Sequence, residues 1–93
     1  MLFLLMETTK FYVYILFSET LDKFYIGYTS DIEARLKRHN QKSKGFTGQK
    51  KDWELKYSET FTSKSEAKAR EKQIKNWKSR IKIIELIKQK NNF

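Results

Sequence analysis

The sequence predicts a small α+β domain whose elements run β-β-α-β-α-α. Three observations carry this. Residues 11–17 and 53–61 alternate in hydrophobicity with the two-residue period of a strand. Residues 23–35 read as a further strand, rich in aromatic and β-branched side chains, that breaks at Gly27 and passes into a helix. Ser30 with Glu33, and Ser63 with Glu66, show the capping-box spacing that marks a helix start.

Residues 1–10 form an N-terminal tail that opens on the apolar run Met1 to Met6. This run is too short to span a bilayer, which takes ~20 residues. It has no basic region before it and no small-residue cleavage site after it, so a signal peptide is not expected, and Met6 offers an alternative start. In the first strand Phe11, Val13, Ile15 and Phe17 are all apolar and should face the main core. Tyr12, Tyr14 and Leu16 make the other face, which carries two hydroxyls. A polar connection with Asp22 is short enough for a hairpin, so the second strand, 24–28, should run antiparallel beside the first. Gly27 at its end signals close backbone approach or an unusual φ/ψ.

The first helix should span 31–41, with Ile32 and Leu36 as its stripe. Arg35 and His39 are four apart and share one side of the helix at the border of that stripe. Residues 42–52 form a loop without periodicity that contains Lys42, Lys44, Lys50 and Lys51. In the third strand, 53–61, Trp53, Leu55 and Tyr57 fall on one face. The second helix runs to about Trp77 along a stripe of Ala67, Arg70/Glu71, Ile74 and Trp77. Glu71 is the anomaly, a carboxylate on what should be the buried side. The third helix, 79–90, carries Ile81, Ile83, Ile84, Leu86 and Ile87, and residues 91–93 fray. No repeat, proline or linker divides the chain, so 11–90 form one domain.

With 93 residues and 39% hydrophobic content, the core must rest on few but large side chains, seven Phe, five Tyr and two Trp among them. The absence of cysteine excludes a disulfide framework and a thiolate zinc site, and fits a reducing cytoplasm. A single histidine excludes any site that needs two. The formal net charge of +9 predicts attraction to a polyanion, with nucleic acid the first candidate. A membrane surface fits less well, because no long helix combines a strong apolar face with a purely basic one.

The polar residues that break the apolar pattern make one chemical set: the phenols of Tyr14 and Tyr25, the Arg35 guanidinium, the His39 imidazole and the Glu71 carboxylate. Such a set suffices for phosphodiester hydrolysis with one metal ion. A carboxylate offers Mg²⁺ or Mn²⁺ a hard oxygen ligand, and a guanidinium forks onto a phosphate oxygen as charge develops. Each residue also has a plain structural role open to it. The tyrosines can be sheet residues, Arg35 can pair with Asp31, Glu71 can pair with Lys75, and His39 can complement a helix C-terminus.

Tyr12-Val13-Tyr14 followed by Tyr25-Ile26-Gly27 resembles the paired signature of the GIY-YIG nuclease superfamily. In particular it is similar to small stand-alone bacterial members related to the N-terminal nuclease domain of the bacterial excinuclease. The likeness continues through Arg35, His39 and Asn40, then Glu66-Ala67, Arg70-Glu71 and Ile74-Lys75. It implies a three-stranded antiparallel sheet flanked by three helices, and metal-dependent endonuclease cleavage of one nucleic-acid strand in the setting of DNA repair. Carried over by position, Tyr14 and Tyr25 match the motif tyrosines and Arg35 the phosphate-contacting arginine. His39 matches a histidine of the homing-endonuclease branch, and Glu71 the metal-binding glutamate. Two positions depart from the pattern. Tyr12 stands where the superfamily often has glycine, and Tyr28 where excinuclease-type members have lysine.

The reading that follows is a metal-dependent endonuclease on DNA, using Mg²⁺ or Mn²⁺ at Glu71, with Lys42, Lys44, Lys50 and Lys51 gripping the backbone. A nucleic-acid-binding module that cleaves little is the alternative, and a domain whose basic face meets an acidic protein is a third. Choice of substrate must come from a protein partner, from oligomerisation or from the 42–51 loop.

Overall fold

A computed structural model describes residues 9–41 and 52–91. Strands β1 (Phe11–Ser18), β2 (Lys23–Thr29) and β3 (Trp53–Phe61) alternate with helices α1 (Ile32–Asn40), α2 (Lys64–Trp77) and α3 (Arg80–Asn91) in the predicted order. The strands form one antiparallel sheet with β1 in the centre, in the order β2-β1-β3. The expected N-terminal tail, apart from its last two residues, and the end of the expected C-terminal fray lie outside the described residues.

Central placement buries both faces of β1, from Val13 through Leu16, so the main core expected on the odd positions is joined by a second on the even ones. On one face Val13 packs with Ala67 and Ile74 of α2, and Ile26, Tyr28, Phe61 and residues of α3 close around them. On the other, Tyr14 and Leu16 pack with Trp53 beneath Ile32 and Leu36 of α1. The face with hydroxyls is therefore core as well, because α1 covers it.

A correction concerns β3. The register slips between Ile15 and Leu16: Leu16 opposes Leu55, whereas Ile15 opposes Tyr57, so Lys56 is the extra residue of a bulge. Trp53 and Leu55 lie on the α1 face, and the bulge turns Tyr57, Glu59 and Phe61 to the α2 face. There Arg70 forks onto Glu59 through two bonds of 2.9 and 2.8 Å, and the Tyr57 hydroxyl donates to the same carboxylate.

The caps show why the helices start where they do. Ser63 caps α2 as expected, its hydroxyl accepting from the Glu66 amide at 3.1 Å. At α1 the cap is Asp31 rather than Ser30. Its extended backbone lets the carboxylate accept from the Ala34 amide at 3.1 Å, and the helix begins one residue later. Lys78, in the left-handed region at φ 48°, ends α2 and turns the chain into α3.

Candidate active site

Tyr14 is the centre of the site. It is 1% exposed and lies across the sheet from Gly27, in register. A Cβ built at Gly27 would meet the Tyr14 hydroxyl oxygen at 2.6 Å and its Cζ at 2.8 Å. The glycine serves this close approach and not an unusual backbone angle, since no described glycine has positive φ. Two residues back on the same face of β2, Tyr25 stacks on Tyr14 with ring centroids 6.2 Å apart.

His39, in the last turn of α1, meets both rings. Its ring centre lies 4.4 Å from that of Tyr25, edge-on, and its Nε2 is 3.4 Å from the Tyr14 oxygen. Trp53 closes the far side, 6.1 Å from the imidazole. His39 is only 7% exposed, and its buried Nδ1 has no hydrogen-bond partner among the described residues. Burial lowers its pKa below 6.5, and the charges of Arg35 and Arg38 push the same way, so the ring is neutral at pH 7.

Burial also pushes the Tyr14 phenol up to about 12, with Tyr25 adding to the effect, Arg35 opposing it and Glu71 adding weakly. At that value about one molecule in 10⁵ carries the phenolate at pH 7. Arg35, half-buried on α1, thus acts electrostatically on both Tyr14 and His39. The expected pairing of Arg35 with Asp31 reduces to the backbone bond of the helix, at 3.1 Å. Glu71 comes from α2 on the other side of the sheet. Its side chain is 17% exposed and takes the Lys75 ammonium at 2.8 Å, so the plain ion-pair role is present too.

Residues 10–85 match the GIY-YIG catalytic domain. The chain belongs to the GIY-YIG family. Among its relatives, a UPF0213 protein of Staphylococcus haemolyticus is 40% identical over 79 residues, covering 82% of this chain and 95% of the relative. A UPF0213 protein of Staphylococcus epidermidis is 38% identical over the same length and coverage. Another, of Bacillus pumilus, is 38% identical over 74 residues, 77% of this chain and 74% of its own. These names give no activity, but the domain itself is of nuclease type. No solved structure matches the chain significantly.

Of the five residues singled out in this GIY-YIG chain, Tyr14, Tyr25 and His39 touch one another. Arg35 acts on Tyr14 and His39 through its charge, and Glu71 is held by Lys75 on the α2 side. The lysines at 42, 44, 50 and 51 lie outside the described residues. Asn40, named in the resemblance without a role, and Asp52 complete the frame. The Asn40 side chain accepts from the Trp53 amide at 2.8 Å and donates to its carbonyl at 3.0 Å, which fixes Trp53 against His39. At the residue before Trp53, Asp52 accepts from the Ser18 hydroxyl at 2.6 Å and the Thr20 amide at 2.8 Å. These bonds hold the Asp52 carboxyl down to about 2 and fix the β1–β2 turn. Neither contact has a local sequence signal, since each joins residues far apart in the chain.

No group of three or more metal-ligating side chains occurs among the described residues. A single carboxylate still fits Mg²⁺ or Mn²⁺, which keep several waters and take one or two carboxylates plus substrate phosphate oxygens. The Lys75 ammonium lies on Glu71 at 2.8 Å, so a metal at this carboxylate would take the place of that ion pair. No described helix is long and apolar enough to cross a membrane.

Proposed function

We propose that this chain is a metal-dependent endonuclease that hydrolyses one phosphodiester bond in DNA, nicking a single strand. The observation that carries it is the Tyr14 hydroxyl seated over Gly27, with His39 Nε2 at 3.4 Å and Tyr25 stacked beside it. Arg35, whose charge reaches both Tyr14 and His39, forks onto the scissile phosphate. Of the two motif phenols, Tyr14 is the one with an imidazole nitrogen in place to receive its proton. The phenol passes its proton to His39 Nε2, and water attacks phosphorus as its own proton moves to the Tyr14 oxygen. The P–O bond to the leaving nucleotide breaks, with the leaving oxygen taking the proton held on His39.

Glu71 would hold Mg²⁺ or Mn²⁺, and the metal would supply positive charge against the developing negative charge on the phosphate. A phenol near 12 beside a neutral imidazole needs such added positive charge to act as a base. On this reading the chain acts on DNA in the cytoplasm, in repair, with a protein partner or the 42–51 segment directing it.

The test is nicking of supercoiled plasmid, and of labelled branched and single-stranded oligonucleotides, with Mg²⁺, Mn²⁺ or EDTA. Nicking that needs metal and disappears in Glu71→Ala, purified in parallel, supports the reading. Cleavage that persists in EDTA or in Glu71→Ala sinks it. The Glu71–Lys75 ion pair favours a second reading, a binding module that cleaves little. Binding without nicking on every substrate would select it.

A further inference from the structure

Phe11, Tyr28, Thr29, Ser30, Arg35 and Lys64 line a surface cavity of about 470 Å³. Its size falls in the ~300–1,000 Å³ range of small-molecule sites. Tyr28 follows Gly27 in β2 but points to the opposite face, in register with Val13. Phe11 and Tyr28 are half-buried and rest on the Val13–Ala67–Ile74 core, so the rings are backed on one side and open on the other. Lys64 is the exposed first residue of α2, and Arg35 lies between this cavity and Tyr14.

The lining selects a ligand class. It offers two aromatic faces and two cations, and no carboxylate. Three other clefts each present acid to a ligand: Asp31 and Glu33 in one, Glu85 in another, Glu66 in a third. The Thr29 hydroxyl is engaged with the Asp31 backbone at 3.1 and 3.3 Å, so Thr29 is wall here and not a reader of polar groups. A flat aromatic group carrying negative charge satisfies this lining, and a nucleotide is such a group. Its base must lie outside a duplex stack to reach the rings.

We propose that this cavity is a subsite for an unpaired nucleotide next to the scissile phosphate, its base on Tyr28 and Phe11 and its own phosphate on Lys64. The proposal rests on the nuclease reading for the position of the scissile bond. Arg35 then joins the two places, one phosphate at Tyr14 and the next nucleotide in the cavity.

The test reads binding and not cleavage. Fluorescence polarisation in EDTA measures a labelled single-stranded oligonucleotide against the wild type, Tyr28→Leu, Tyr28→Phe and Lys64→Gln. Tyr28→Leu keeps apolar packing but removes the π-face, and should bind about 5- to 150-fold more weakly, the span of base–aromatic stacking. Tyr28→Phe should bind like wild type. Lys64→Gln should reduce the log–log salt slope by ~0.7, the single-strand value for one phosphate contact.

On an oligonucleotide of abasic residues, the wild type and Tyr28→Leu should bind alike, which separates stacking from a loss of fold. Equal binding of the base-bearing strand by the wild type and Tyr28→Leu overturns the subsite, and so does an equal loss in Leu and Phe variants. Plasmid nicking by the wild type is scored separately, so the subsite can fail while the nuclease reading stands.

Discussion

Gly27→Ala is the substitution whose outcome the geometry fixes most tightly. The added Cβ would sit 2.6 Å from the Tyr14 oxygen, and ordinary contact begins at 3.4 Å, so the hydroxyl must retreat by about 0.8 Å. Tyr14 is 1% exposed and packed against Leu16 and Trp53, so the ring has no free space to enter. Overpacking of this kind costs ~1–3 kcal/mol. At about 4–8 °C per kcal/mol for a domain of this size, the melting temperature should fall by roughly 4 °C or more.

The sign is what makes the test sharp. Gly27 does not use positive φ, so without Tyr14 the same change should stabilise by ~0.4–1 kcal/mol through the unfolded chain. Urea unfolding of Gly27→Ala, Tyr14→Leu and the double variant, with m held constant, isolates the coupling. Alanine should be destabilising beside tyrosine and neutral or stabilising beside leucine. An equal cost in both backgrounds would refute the claim that Gly27 exists to admit Tyr14. On the nuclease reading, a displacement near 1 Å also predicts a ~10²-fold loss of nicking.

Three further outcomes follow from the frame around the site. His39 has a folded pKa below 6.5, so its stabilising neutral form holds above about 6.5 and is lost as pH falls through the folded value. Over that window the wild type should lose up to ~1.4 kcal/mol per pH unit more than His39→Gln, read by urea melts at successive pH. Asn40→Ala leaves the amide of a residue that is 2% exposed without its acceptor and should cost ~1–3 kcal/mol; Asn40→Asp should recover only part, because its oxygen faces the Trp53 carbonyl. Asp52, held down to about 2, gives stability present above its usual 3.8 and lost as pH falls towards 2; Asp52→Asn should flatten that acid limb in a melting series.

Strand and helix positions are legible because local chemistry sets them. Alternation places β1 and β3, and Ser63 caps α2 as its spacing requires. Where two caps stand side by side, Ser30 and Asp31, the pattern alone does not choose, and the carboxylate one residue later takes the amide. The buried second face of β1 is hidden because Tyr12 and Tyr14 bring hydroxyls that look like a solvent face; α1 covers Tyr14 and Leu16 all the same. The flip of Tyr57 is illegible because a bulge depends on the partner strand and leaves no mark in the alternation of β3 itself. Of the site, its five polar members stand out as breaks in apolar stripes. Asn40 and Asp52 do not, since their work is done on backbone far away in sequence.

One consequence binds fold to chemistry in this chain. Tyr14 leads the largest fully buried side chains, and it is also the phenol at the centre of the site. His39 is both a wall of the Tyr14–Trp53 cluster and the nearest nitrogen to that phenol. A small domain with few large side chains has little room for a separate core and a separate site on the α1 face, so on the nuclease reading the same rings serve both. Truncating either residue to alanine would therefore confuse lost chemistry with lost packing. Tyr14→Phe is the clean probe, because it removes the oxygen above Gly27 and keeps the ring. It should relieve the closest approach at Gly27 and release His39 Nε2, leaving stability within about 1 kcal/mol of wild type. If Tyr14→Phe folds this well and still nicks at the wild-type rate, Tyr14 is core alone, and the base must be sought at Tyr25.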